Sequence, residues 1–266
     1  MSIYLNTQTR NIQDQKKDGE LICPIAYTDV DTFDDTKISH MRMTEDGRLA
    51  SMAYFEVEAL EQWLNRSNND PFTNRPFKGP IKERLRIIQE ARGTTMPENL
   101  NDTFRAYCEN PTRFKETNPN NYRWMRRHIK TEENSFICPW AEDTSTTFRS
   151  RALELLSEKP KGSFVLRPSS IKSTQNFRVV ALSYLARPKL RTFYEPADVF
   201  EAEIKHVLIG HCYGYGYMIV ETTGSTMPDI QSAIPMPKHD ITWGSFLDVL
   251  EWLSQNNVID LKKIVN

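Results

Sequence analysis

The chain has 266 residues, of which 39 % are hydrophobic and 26 % charged, with a formal net charge of −1. That balance suits one or two globular domains, each large enough to bury a core. It argues against a chain-wide attraction to nucleic acid or anionic membrane, so any anion site must be local. No apolar run is long enough to span a bilayer. The opening stretch MSIYLNTQTRNIQDQKKDGE is polar and lacks the apolar core of a secretory signal. Cys23, Cys108, Cys138 and Cys212 are scattered, with no CxxC pair and no zinc-ligand spacing. They suit a reducing cytoplasm, and neither a metal nor a cofactor is expected.

There is no internal repeat. Residues 18–80 alternate short apolar runs with turns. Within YFEVEALEQWLNRSNNDPFTNRPF, Phe55, Leu60, Trp63 and Leu64 recur at helical spacing, and Asp70-Pro71 breaks the pattern. These residues predict a small α/β unit, with Trp63 read as core. In IKERLRIIQEARG, Ile81, Leu85 and Ile88 share a helical face, and Gly93 is the stop. MPENLNDTFRAYCENPTRF predicts a second short helix ended by Pro111, and NNYRWMRRHIK a third. Residues 86–135 are read as a helical connector. The basic stretch RWMRRHIK is read as a solvated helix face in preference to a contact for an acidic partner.

The third region, 136–266, opens on the amphipathic helix FRSRALELLSE, with Phe148, Ala152, Leu155 and Leu156 on one face. Four strand-like runs follow: SFVLRPSS, NFRVVALSYLA, AEIKHVLIG and YGYMIVETTG. TWGSFLDVLEWLSQN closes with a helix carrying Phe246, Val249, Leu250 and Leu253. Helix, antiparallel strands, helix predicts an α+β fold with helices on the two sides of a central sheet.

Arg167 interrupts one of these strands. Alone, it reads as an edge-strand arginine. The run FRSRALELLSEKPKGSFVLRPSS, followed by a strand pair containing IKH, resembles a Src-homology-2 domain over residues 140–255. Phe164-Val165-Leu166-Arg167 matches that family's arginine strand with its two middle residues exchanged. Gly162 and Ser169 also fit, Arg149 occupies the place of a second phosphate-binding arginine, and His206 matches the histidine of the fourth strand. The resemblance implies a phosphotyrosine pocket formed by Arg167, Arg149, Ser169, Ser170 and His206. A guanidinium grips two phosphate oxygens at once, and a deep one suits the length of phosphotyrosine. For His206 a satisfied core histidine remains the alternative. Leu208 stands where many members carry a basic residue. Two long segments, ARPKLRTFYEPADVFEAE and STMPDIQSAIPMPKHD, leave the flanking-sequence preference open.

Residues 18–85 resemble the U-box, the zinc-free relative of the RING fold. The matching motifs are Cys23-Pro24-Ile25, Trp63-Leu64, Pro71-Phe72-Thr73 and Pro76-Phe77. The usual Asp-Pro-Val is absent, and Asn74 followed by Arg75 stands where many members place an arginine. This resemblance implies a ubiquitin ligase that acts by proximity and orientation, without a nucleophile. Its conjugating-enzyme groove would comprise Ile25, Tyr27, Trp63 and Pro71. For Ile25 and Trp63, burial in the core is the alternative.

The expected partners are therefore tyrosine-phosphorylated proteins and a ubiquitin-conjugating enzyme. The alternative is a phosphotyrosine-binding adaptor whose U-box-like unit is inactive as a ligase. The pairing of the two modules is similar to bacterial effectors that work inside eukaryotic host cells, such as those of Legionella. That similarity implies export into host cytoplasm.

Overall fold

A computed structural model describes residues 16–17, 20–28, 37–43, 49–71, 74–77, 80–129, 149–169, 177–186, 204–212, 216–220 and 242–265. The chain mixes helix and sheet. Two-residue strands β1 (Lys16–Lys17) and β2 (Glu20–Leu21) pair, as do β3 (Lys37–Met43) and β4 (Leu49–Glu56), both pairs antiparallel. Then come α1 (Val57–Leu64), α2 (Ile81–Glu90), α3 (Leu100–Glu109), α4 (Pro111–Thr117), α5 (Pro119–His128) and α6 (Arg149–Leu156). Strands β5 (Phe164–Pro168), β6 (Phe177–Leu185), β7 (Ile204–Cys212) and β8 (Gly216–Val220) form one antiparallel sheet in that order. Helix α7 (Phe246–Gln255) and a 3₁₀ turn at Leu261–Lys263 follow. Among the described residues no helix is long and apolar enough to cross a membrane.

Phe55 is fully buried, but it lies in β4, one residue before its end, and does not belong to α1. Pairing with Ile38 of β3 holds it extended, and the helix begins only at Val57. Phe55, Val57 and Leu60 then bury together with Ile81 and Leu85 of α2. Pro111 also does more than end a helix. Asn110 closes α3 and caps α4 through the Arg113 N–H at 3.1 Å, with Pro111 at the first helical position. Proline fits there because the N–H it lacks has no partner inside the helix.

The four-stranded sheet has two different faces. Strand alternation places Phe164, Leu166, Val180, Leu182, Ile209 and Ile219 on one of them. That face shares a core with Phe246, Leu250 and Leu253 of α7. The same core takes in Phe104 and Tyr107 of α3, Phe114 of α4, and Trp124 and Met125 of α5. The helices between residues 100 and 129 are thus part of the packing of the sheet. The opposite face meets α6 through Val165, Ala152 and Leu156. Each sheet edge carries one isolated bridge: Ile264 pairs with Phe164 beside β5, and Trp243 pairs with Tyr217 beside β8.

Helix α2 is packed closely against the approach to α7. A Cβ at Gly244 would lie 2.7 Å from Glu83 Cγ and 2.8 Å from Ile87 Cδ1. Gly216, at φ +96°, likewise leaves no room for a Cβ between Trp243 and Pro80. Beside this contact lies an ion cluster. Arg126 of α5, 10 % exposed, meets Glu83 of α2 and Asp248 of α7, the latter at 3.2 Å. Arg86 approaches Glu83 at 2.6 Å and Glu90 at 2.5 Å. One arginine of the basic stretch RWMRRHIK therefore faces carboxylates of its own chain. Burial alone would lower the Arg126 pKa, but Asp248 and Glu83 outweigh it and hold the guanidinium more firmly charged than usual.

The hydrogen bond from Arg86, helped by the charge of Arg126, holds the Glu83 carboxyl below its ordinary value of 4.5. A depressed carboxyl stabilises the fold fully above its unfolded pKa, and the contribution is lost as pH falls through the folded value. Arg126 stays charged throughout that range. Replacing Glu83 with Gln is expected to cost about 1 kcal/mol at neutral pH, the figure being small because solvent screens a partly exposed carboxylate. The gap between wild type and Glu83→Gln should shrink as the pH is lowered from above 4.5. Denaturant melts across this pH range measure it, and a constant gap would show that the ion cluster carries no linkage.

Candidate functional site

Of the residues expected around a phosphate pocket, Arg167 and His206 fall on the sheet face beneath α6. Arg167 lies on β5, is 8 % exposed, and pairs in register with Ala181 of β6. Ser183, two residues further along β6, therefore points to the same side and sits diagonally from Arg167. Ser183 also pairs in register with His206 of β7. The three side chains form a row across three strands. Arg167 Nε donates to Ser183 Oγ at 3.0 Å, and Ser183 Oγ lies 2.9 Å from His206 Nδ1.

Arginine has donors only, so Ser183 Oγ accepts from Arg167. The hydroxyl keeps its proton and a second lone pair, so it bridges to His206 Nδ1 with either imidazole tautomer. The row also fixes the guanidinium plane through Nε and so orients the two terminal nitrogens.

Ser169 is half-buried just past the end of β5. Arg149 is the first residue of α6, the helix that covers this face, while its side chain lies outside the described residues. Ser170 and the two long segments 187–203 and 225–240 also lie outside them. The geometry therefore joins Arg167 and His206 and adds Ser183. The sequence reading missed Ser183 because it stands in an apolar strand, FRVVALSYLA. A polar residue on the alternation of a buried strand, two positions from the partner of an arginine, is the signal that finds it.

The second set of residues lies on two closed loops. In the first, Cys23 N–H donates to the Thr28 carbonyl and Tyr27 N–H to the Cys23 carbonyl, both at 2.8 Å. The buried Cys23 Sγ accepts from the N–H groups of Ala26 and Glu56, each at 3.4 Å, which ties the loop to the end of β4. Ile25 packs against the Phe55–Leu60 core and is half-buried. Tyr27 is 82 % exposed. In the second loop, Asp70 N–H donates to the Arg75 carbonyl at 2.7 Å and Asn74 N–H to the Asp70 carbonyl at 2.8 Å. Trp63 Nε1 donates to the Asn69 carbonyl at 2.6 Å, so the half-buried indole holds the helix end to this loop. Pro71 is half-buried on the same loop, whereas Phe72 and Thr73 lie outside the described residues.

Ile25 of the first loop, Leu64 of α1 and Phe77 after the second loop pack against one small core. The two loops thus converge on one end of the unit. Asn74 has φ 53°, a left-handed conformation that asparagine adopts at lower cost than arginine. This is a local reason for asparagine where the U-box pattern places arginine, with the exposed Arg75 next to it.

Tyr27 has φ 57°. A bulky residue there costs about 1–2 kcal/mol, and its ring is in solvent, so burial of the ring does not repay that cost. Tyr27→Gly is expected to raise the thermal midpoint by about 2 °C, part of the relief being offset by the entropy glycine gains in the unfolded chain. Tyr27→Ala keeps the strain and should leave the midpoint unchanged or lower. Calorimetry on the two variants checks this, and equal midpoints would remove the strain argument.

Comparison with known proteins finds no matching family model, no matching curated protein and no matching solved structure.

Proposed function

We propose that this protein binds phosphotyrosine on the sheet face beneath α6 and that its two-loop unit recruits a ubiquitin-conjugating enzyme. The chain would then be a phosphotyrosine-directed ubiquitin ligase. The observation that carries the first half is the row Arg167–Ser183–His206: a guanidinium 8 % exposed, held through Nε in a defined plane. A dianionic phosphate offers three acceptor oxygens that suit such a planar fork. Helix, antiparallel strands and closing helix occur in the order of a Src-homology-2 domain, which supports the same reading.

The second half is supported by element order: loop, β-hairpin, helix, loop, helix, with both loops closed by hydrogen bonds. Such a unit lends no nucleophile. It accelerates transfer by holding a charged conjugating enzyme beside the bound target. Ile25, Tyr27, Trp63 and Pro71 are the contacts of this reading, with an exposed aromatic and a proline near the centre of a small interface. Tyrosine-phosphorylated proteins and ubiquitin conjugation coexist in eukaryotic cytoplasm, so this reading places the site of action there. A bacterial effector delivered into a host cell fits it.

Titration of free phosphotyrosine and of phosphopeptides against wild type and Arg167→Ala tests the pocket. The variant should lose at least about 2 kcal/mol, or roughly thirtyfold in affinity. Arg167→Lys keeps a charge without the fork and should fall between the two. Ser183→Ala should weaken binding less than Arg167→Ala, because it loosens the guanidinium without removing it. Unchanged affinity in Arg167→Ala overturns the assignment. Autoubiquitination with a panel of conjugating enzymes tests the loop unit: product that falls in Tyr27→Gly and Ile25→Ala supports the ligase. No product from any enzyme, with phosphopeptide binding intact, leaves an adaptor.

A further inference from the structure

A second basic site lies away from Arg167. A concave space of about 430 Å³ opens between α3, the turn that precedes β5, and the chain after α7. Its wall carries Arg105, Lys159, Lys262 and Lys263 against a single carboxylate, Glu109. Lys263 is tied to Asp260 at 3.2 Å and donates to the Lys161 carbonyl at 2.9 Å. Among the described residues Arg105, Lys159 and Lys262 make no ion pair. The floor includes Ser163 and the buried Cys108, whose thiol burial holds above its ordinary pKa, so it adds no negative charge. Ser163 and Arg167 are four residues apart along the strand direction, about 13 Å. They belong to different sites.

The chemistry of the wall narrows the ligand. The three unpaired cations come from three separate stretches of chain and face one volume, so they suit several anionic groups spread over a small framework. A single phosphate would meet only part of them. An extended peptide is poorly served, because its main chain needs backbone partners and these are taken. Val265 N–H donates to the Phe164 carbonyl at 2.9 Å, Lys263 N–H to the Asp260 carbonyl at 2.9 Å, and Ser163 N–H to the Pro160 carbonyl at 3.0 Å. Lysine ammonium groups on mobile stems act as point charges for phosphate. The volume is that of a small-molecule site. We propose that this cleft binds an organic polyphosphate, several phosphates carried on a small ring or chain, either free or as the headgroup of a lipid. The inference is independent of the phosphotyrosine reading.

Isothermal titration of inositol hexakisphosphate into the full chain tests it, with Lys159→Glu/Lys262→Glu, Arg105→Gln and Arg167→Ala as variants. Wild type and Arg167→Ala should bind alike. The double charge reversal should lose at least about tenfold in affinity, and Arg105→Gln a smaller factor. All the replaced cleft side chains are exposed, so the variants should fold, and matching circular dichroism spectra verify that they do. Cosedimentation with phosphatidylcholine vesicles containing a phosphorylated inositol lipid separates the sources. Binding to these vesicles, lost in the double variant, assigns the lipid-borne form; binding of the soluble probe alone assigns the free form. Three results overturn the proposal: no binding of either probe, binding that survives the double reversal, or binding lost in Arg167→Ala. A polyglutamate peptide that binds more tightly than the polyphosphate also overturns it, in favour of an acidic protein segment.

Discussion

Arg126 is the group on which the arrangement of the helices turns. It is nearly buried on α5 and meets carboxylates from α2, 43 residues before it, and from α7, 122 residues after it. Removing such a charge from water costs several kcal/mol, and its partners roughly return that cost. The net stabilisation is therefore modest. What the cluster adds is selectivity among packings, because any arrangement that separates Arg126 from Glu83 and Asp248 strands a buried charge. Asp248 serves twice: it also completes the capping box of α7, with the Ser245 hydroxyl and the Asp248 N–H 3.2 Å apart. The start of α7 and the placing of α2 thus depend on one carboxylate.

Glycine makes that arrangement tight. Gly244 lets α2 come within contact of the backbone that leads into α7, and Gly216 does the same for Trp243 and Pro80. One turn further along the same face of α7, Glu251 accepts from Tyr107 Oη at 2.5 Å and from Lys115 Nζ at 2.7 Å. Burial, followed by the charge of Glu251, keeps the Tyr107 phenol protonated far beyond its usual range, so this bond is a permanent donor. Helix α7 is therefore anchored by side-chain charge over its first two turns and by the apolar packing of Phe246, Leu250 and Leu253. The sheet that it covers is held on one face, which leaves the other face to carry Arg167.

Much of this was legible in the sequence where a single residue speaks for itself. The apolar face of α7 was visible at Phe246, Val249, Leu250 and Leu253, all of which are buried. Gly93 was visible as a stop, and it has φ +75° just beyond α2. Arg167 stood out because a charge inside Phe-Val-Leu is unusual. What stayed hidden were relations between distant residues. Ser183 gains meaning only from register, which sets it opposite His206 and diagonal to Arg167. RWMRRHIK looks like a solvated basic face because the carboxylates that meet Arg126 lie on helices far away in the chain. Asn110-Pro111 reads equally as a helix end and as a helix start, and here it is both. Composition marked 81–135 as polar and helical, but Phe104, Tyr107, Phe114, Trp124 and Met125 are spaced too irregularly across three short helices to announce one shared core.

The way α2 is held bears on what the two halves could do together. A flexible tether would raise the local concentration of one binding site near another while leaving direction to chance. Here the same helix contributes Ile81 and Leu85 to the core of the loop unit and Glu83 to the cluster with α5 and α7. Turning the loop unit against the sheet would have to break the ion cluster and open the Gly244 contact together. Under the ligase reading, such a joint trades reach for orientation: a bound target presents its lysines along a fixed direction, and those outside it are poor acceptors. Proximity catalysis gains most when the geometry is set before the encounter. An adaptor needs no such constraint, because two independent binding events tolerate any relative angle. The closeness of the α2–α7 contact is thus easier to understand if the two halves act on one substrate at one moment.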